Sequence, residues 1–201
     1  MGRYSHLKNN IQTPNNFSKC IVGLDRDGVI NIDRGEYTWR KQDFEVIPKS
    51  LDAIALIRNK GHKIVIITNQ GGISKGLYTE DDVNLLHQHL LDLLGEAGCP
   101  SIDGIYFSAT SFKNDPYAKP NTGMFKKASE DDKSIKWPNG FYVGDKISDL
   151  KAAHKIGATP VLVRTGHGRE TEELMQSRYT YKSIHKKTKV YNTLWEFAQA
   201  L

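Results

Sequence analysis

The chain has 201 residues, a length that suits one domain with room for a full core. With 38% hydrophobic and 25% charged residues, it has the composition of an ordered globular protein, which excludes a wholly disordered chain. Net charge is +5, and no apolar stretch nears the ~20 residues a bilayer-crossing helix needs, so a membrane partner is not expected. The start, "MGRYSHLKNNIQTPNNFSK", is polar and lacks the apolar run of a signal peptide. It opens Met-Gly, but His6 stands where a myristoylation motif needs Ser or Thr. A polar N-terminal extension over 1–18 and a single domain over 19–201 are expected, in a cytoplasmic protein. Cys20 and Cys99 lie far apart with no His at ligand spacing, which points to reduced thiols and no zinc site.

In chain order, the first strand is predicted at "CIVGL" (20–24). A helix follows over "SLDAIALIRNK" (50–60), closed by Gly61. "KIVIIT" (63–68) is a second strand, and a longer helix covers 79–98, with Thr79 as N-cap and three acids in its first turn. "DGIYFSA" (103–109) and "GFYVG" (140–144) read as strands, "SDLKAAHKIG" (148–157) as a helix, and "TPVLV" (159–163) as a further strand. Short continuous apolar runs suit strands buried on both faces, and their alternation with helices predicts an α/β fold with a doubly wound, mainly parallel, Rossmann-like sheet.

In such sheets, ligands bind outside the carboxyl ends of the strands. There the sequence places "DRDG" after the first strand, "TNQGG" after the second and "GDKISD" after 140–144. Taken alone, Asp25 and Asp27 fit a turn as well as a site. With Asp145 they would form three converging carboxylates, which need a cation, and hard oxygen ligands favour Mg²⁺. Thr68 supplies a hydroxyl, Gly71 and Gly72 allow close backbone approach, and Lys119 before Pro120 brings a positive charge. Cations, a hydroxyl and free amides around a carboxylate are the requirements of phosphoryl transfer.

"DRDGVIN", "TNQGGISKG", "KPNTGM" and "VGDKISD" occur in the order and spacing of the haloacid dehalogenase superfamily. Over residues 20 to 170 the chain resembles its heptose bisphosphate and histidinol-phosphate phosphatases. The resemblance implies Asp25 as nucleophile, Asp27 as acid/base, and Thr68 and Lys119 as phosphoryl-binding catalytic groups. It implies Mg²⁺ held by Asp25, Asp145 and the backbone carbonyl of Asp27. Asp149 would hold Lys119 or cap a helix, with a direct metal role as the alternative. The expected substrate-binding set is Asp33, Asn69, Gln70, Gly71, Lys75, Lys119 and Lys146, with Arg34 a further candidate for a second phosphate. The implied activity removes the 7-phosphate of a heptose 1,7-bisphosphate in nucleotide-heptose supply for surface polysaccharide.

The intervals between motifs leave no room for an inserted cap domain, so a capless monomer with an open site is expected. One loop departs from the family. Residues 108–120 lack the Cys and His of the usual zinc loop, and Ala118 stands in place of a substrate-binding arginine. Histidinol phosphate and 3′-phosphorylated nucleic acid are alternative substrates. The basic stretch 178–191 has no accompanying nucleic-acid-binding motif, and a solvated surface is the simpler reading. A receiver-type phospho-acceptor domain also uses Asp, Mg²⁺, Thr and Lys, but carries its phosphorylated Asp on the third strand.

Overall fold

A computed structural model of the chain describes residues 4–7, 20–99 and 101–201. Seven strands run β1 Tyr4–Leu7, β2 Ile21–Leu24, β3 Lys63–Asn69, β4 Gly104–Ser108, β5 Phe141–Gly144, β6 Thr159–Val163 and β7 Lys189–Tyr191. They form one sheet in the order β1-β4-β3-β2-β5-β6-β7. Only β1 is antiparallel to its neighbour; the other pairs are parallel. All five strand segments read from the sequence are present, with ends shifted by at most a few residues.

The apolar runs behave as two-faced strands. In β3, Ile64 and Ile66 join one core, while Val65 and Ile67 join the other, because successive side chains alternate between faces. The first core packs against α1 (Ser50–Asn59), α2 (Glu80–Glu96) and α7 (Leu194–Ala200). The second packs against α3 (Gly123–Asp131) and α4 (Ile147–Ile156). Beside α4, a smaller cluster brings in α5 (Gly168–Ser177) and α6 (Lys182–His185). The helix signals act as expected: Thr79 makes a capping box with Asp82, and Gly157 closes α4 in the left-handed region. Pro120 does not open a helix, since α3 starts at Gly123.

Two edges differ from the sequence reading. The polar stretch 1–18 contributes β1 to the sheet through Tyr4–Leu7, paired along β4, while the rest of that expected extension lies outside the described residues. At the other edge, the basic stretch carries η-turn 179–181, α6 and most of β7, so it is structured and built into the domain. Among the described residues, no helix is long and apolar enough to cross a membrane. None forms a separate cap: the chain from β2 to β3 holds a loop and α1, and that from β3 to β4 holds α2.

Candidate active site

The strand order reverses at β2: the chain moves outward through β3 and β4, then returns to place β5 on the other side of β2. The crevice beyond β2 and β5 is therefore the expected ligand position. Asp25 follows β2 and Asp145 follows β5 there, with Asp25 N bonded to Val143 O at 2.9 Å. Both residues are buried, at 5% and 0% exposure.

Lys119 enters from the loop before α3 and is buried beside them. Its Nζ lies 2.8 Å from Asp25 Oδ1 and 2.8 Å from Asp149 Oδ1. It also donates to Ile67 O at 3.0 Å and to the Tyr142 hydroxyl at 2.9 Å. Burial opposes its charge, but the two carboxylates outweigh that and raise its pKa, so the ammonium form is fixed. Asp149 has the second duty expected of it as well: Oδ2 accepts from Lys146 N at 2.9 Å and caps α4.

Oxygen atoms of Asp25, Asp145 and Asp149 lie within 4.8 Å of one another. Burial lifts the Asp25 pKa to about 6, against the pull of Lys119. Burial also lifts Asp145 well above the carboxylate range, although Lys146 opposes it. Asp145 Oδ2 accepts from His167 N at 2.8 Å, but Oδ1 is buried with no hydrogen-bond partner. A buried carboxylate oxygen without a donor, flanked by other acids, is the donor set a divalent cation requires. The residues therefore fit a divalent metal ion.

Gly28 (φ +83°) and Gly166 (φ +53°) crowd this carboxylate. A Cβ at either position would fall 2.2 or 2.3 Å from Asp145 Oδ2. The "GHG" loop at 166–168 is thus part of the site, tied to it by Thr165 Oγ1 donating to Gly28 O at 2.6 Å.

Asp27 sits apart from the acidic cluster. Its carboxylate accepts from Arg26, from Asn31 Nδ2 at 3.0 Å and from Gln70 Nε2 at 3.0 Å. Burial opposes ionisation, yet Arg26 and these donors lower its pKa. The side chain is thus committed to this network, and only the main-chain carbonyl of Asp27 is left for a metal role. Gln70 Nε2 also donates to the buried Thr68 Oγ1 at 3.0 Å, linking Thr68 to Asp27.

Asn69, expected to bind substrate, spends its amide on the main chain of Lys119, accepting from N at 2.9 Å and donating to O at 3.1 Å. Asn69 thus holds the Lys119 main chain, and Gln70 holds Thr68 and Asp27 together. Gly71 and Gly72 allow close packing: a Cβ would fall 2.2 Å from Ser111 Oγ or from the Tyr78 ring. Arg26 and Tyr142 had no place in the sequence reading, and His87 reads there as a core or surface histidine. A single Arg between two acids looks like a solvated charge, and a Tyr in an apolar run looks like core.

An open cleft of about 440 Å³ lies over Asp27. Asp33, Tyr37, Lys75, Ser111, Lys146 and His167 line it. Lys146 Nζ donates to Asp33 Oδ2 at 2.7 Å. Lys75 rests over the Tyr37 ring at 5.2 Å, and no carboxylate of the described residues pairs with it. Arg34 lies outside this cleft, paired with Glu45 on the surface. In the departing loop, Asp115 Oδ1 accepts from Tyr117 N at 2.8 Å and Asn121 Nδ2 donates to Lys113 O at 2.8 Å and Asp115 O at 2.7 Å. Ala118 is fully buried beneath that turn.

Residues 19–189 match the family model described as polynucleotide kinase 3 phosphatase. The chain belongs to this family. It is a phosphatase of the haloacid dehalogenase superfamily, with the hydrolytic chemistry of that fold. Among curated relatives, the D-glycero-D-manno-heptose-1,7-bisphosphate 7-phosphatase of Chlorobaculum tepidum is 34% identical over 167 residues, covering 77% of this chain and 83% of the relative. The D-glycero-beta-D-manno-heptose-1,7-bisphosphate 7-phosphatase of Pseudomonas putida is 34% identical, over 90% of this chain and 98% of its own. Among solved structures, the D,D-heptose 1,7-bisphosphate phosphatase of B. bronchiseptica, complexed with magnesium and phosphate, aligns with a TM-score of 0.80 and 29% identity. It covers 90% of this chain and 97% of that one.

Proposed function

We propose that the chain is a Mg²⁺-dependent phosphomonoesterase that removes the 7-phosphate of D-glycero-D-manno-heptose 1,7-bisphosphate. One observation carries this reading: the Lys119 ammonium lies between Asp25 and Asp149, beside the unpartnered oxygen of Asp145. Buried charges of both signs surround a place where an anionic group could be neutralised.

Asp25 attacks phosphorus through a carboxylate oxygen. The bond from phosphorus to the sugar oxygen breaks with its electron pair going to that oxygen, which takes a proton from Asp27. The negative charge of the bound phosphate favours the protonated form of Asp27 against the pull of Arg26. A water then gives its proton to Asp27 and attacks the aspartyl-phosphate, releasing inorganic phosphate. Lys119 neutralises the transferring oxygens and the Thr68 hydroxyl holds them, while Gln70 keeps Thr68 in register with Asp27. The Asp25 and Asp145 carboxylates and the Asp27 carbonyl would hold Mg²⁺, whose charge would offset that of the phosphate. Asp149 keeps Lys119 in place.

The substrate is inferred from the curated relatives and from the cleft, where Lys75 is the cation free to meet a second phosphate. Asp33, Lys146 and Ser111 offer hydrogen bonds to sugar hydroxyls. The same reading makes the protein a cytoplasmic monomer in nucleotide-heptose supply, and the free thiols Cys20 and Cys99 suit a reducing compartment. A second reading, hydrolysis of a terminal 3′-phosphate on nucleic acid, is favoured by the description of the matching family model. Phosphate release should be measured over both heptose bisphosphate anomers, histidinol phosphate and 3′-phosphorylated oligonucleotides. The highest kcat/KM is expected on a heptose bisphosphate; a preference for either other class overturns the assignment.

A further inference from the structure

Arg26 separates Asp25 from Asp27 in the sequence, and its side chain is fully buried. A buried guanidinium is costly unless its donors are met, so its partners show what holds it there. Nη2 donates to both oxygens of Asp27 at 3.0 Å, and Nε donates to Oδ1 at 3.3 Å. Nη2 also donates to Gln70 Oε1 at 3.1 Å, and Gln70 itself donates to Asp27 Oδ2. A further bond from Nη2 reaches Thr38 O at 2.9 Å, in the loop that walls the cleft.

The remaining side of the fork meets α2. Nη1 lies 3.2 Å from His87 Nε2, and since Arg has no acceptor, the imidazole must accept there. His87 is fully buried and therefore neutral at this contact; burial, with Arg26 beside it, holds its pKa well below the usual histidine value. Its ring stands edge-on to Phe107 at 5.6 Å, which fixes its orientation. A guanidinium serving only to anchor the loop would need Thr38 alone. Here the fork is turned on the carboxylate that must face the leaving oxygen, and a histidine from another element locks the fork.

We propose that Arg26 is a positioning residue for Asp27, and that His87 holds Arg26 in the required orientation. This rests on the reading of Asp27 as acid/base. Proton transfer needs the two heavy atoms about 2.6–3.2 Å apart, so a carboxylate free to turn loses much of its effect. Arg26→Lys keeps the charge but loses the planar fork.

The test uses the full chain with Mg²⁺ and compares two leaving groups. One ester is p-nitrophenyl phosphate, whose phenolate departs without a proton. The other is the best alkyl monoester found in the phosphate-release screen, whose alkoxide needs one. Single-turnover cleavage of the alkyl ester by Arg26→Lys should fall by roughly 10²-fold, the scale of a misplaced catalytic group, while the p-nitrophenolate burst is unchanged. His87→Leu should show a smaller loss of the same kind, and His87→Gln, which restores an acceptor, should recover it. If Arg26→Lys does not fold, the His87 pair decides by the same ratio.

Equal losses on both esters, or none on either, overturn the proposal. Asp27→Asn serves as the reference in the same assay. If it slows both esters alike, the acid/base reading falls and the positioning role with it. If Asp27→Asn discriminates between the esters and the Arg26 and His87 variants do not, only the positioning role falls.

Discussion

The floor and the wall of the cleft are built on opposite terms. On the floor, Asp25, Lys119, Asp145 and Asp149 are at most 5% exposed, and their charges meet at 2.8 Å with little water to compete. In the loop that carries the wall, Arg34 and Glu45 form a surface pair that is more than half exposed, and Tyr37, on the wall, is 40% exposed. Breaking a buried pair costs about 3–5 kcal/mol, whereas an exposed pair contributes about 0–1 kcal/mol. The floor therefore has one arrangement open to it, which suits bond making. The wall has many, which suits recognition of a variable leaving group.

The floor breaks hardest at its nucleophile. Asp25→Asn should lower phosphate release by about 10⁴-fold or more while the protein stays folded, as judged by circular dichroism. A folded variant with wild-type turnover would remove Asp25 from the chemistry. Next comes the proton linkage of the floor. Burial lifts Asp25 to about 6 and Asp145 well above the usual range, so protons compete with a cation for this site as pH falls. Divalent-cation affinity should fall as pH drops through 6, by about tenfold or more by pH 5, measured by calorimetric titration. In chelator, the raised pKa of Asp25 favours folding at low pH. That contribution is full below about pH 4 and is lost as pH rises through 6. Added Mg²⁺ should consequently raise Tm more at pH 7.5 than at pH 5, and an equal gain at both would contradict the linkage.

The wall gives smaller effects. From sequence alone, restoring an arginine at 118 looks like a way to sharpen anomer choice. Ala118 is fully buried under the Asp115 turn, so Ala118→Arg should instead overpack the loop and cost about 1–3 kcal/mol in urea unfolding. A variant as stable as wild type, with sharper selectivity, would show that this loop yields. Lys75→Ala is the mildest change. It should raise KM for a bisphosphate by about tenfold with kcat unchanged, the effect of one hydrogen bond to a charged group. A fall in kcat instead would move Lys75 from the wall to the floor.

The same division governs what could be read from the sequence. Strands β2 to β6 were legible because both their faces are buried and the apolar runs are unbroken. The acids and Lys119 were legible because motif order places them at one sheet edge. The edge strands β1 and β7 escaped notice: each is short, and "KVY" is exposed or half-buried, so neither carries an apolar signal. Arg26 and His87 were illegible for another reason. Their partners lie at Asp27, Thr38, Gln70 and on α2, and no local pattern announces a buried fork joining four segments. Asn69 and Gln70 were read as facing substrate; both line the cleft, and their amides also hold the Lys119 main chain and Thr68, contacts no local pattern announces.

The two glycines pressed on Asp145 bear on how this chain can vary. Gly166 lies beyond the four motifs, in the loop between β6 and α5. Yet a methyl group there would fall 2.3 Å from Asp145 Oδ2 and 2.7 Å from the Gly28 Cα. Three chain segments, after β2, β5 and β6, meet where no carbon atom can be added. A library of every single substitution, selected for phosphate release, should leave 166 as empty of survivors as 145. Gly35, which meets nothing within 4 Å, should admit Asn.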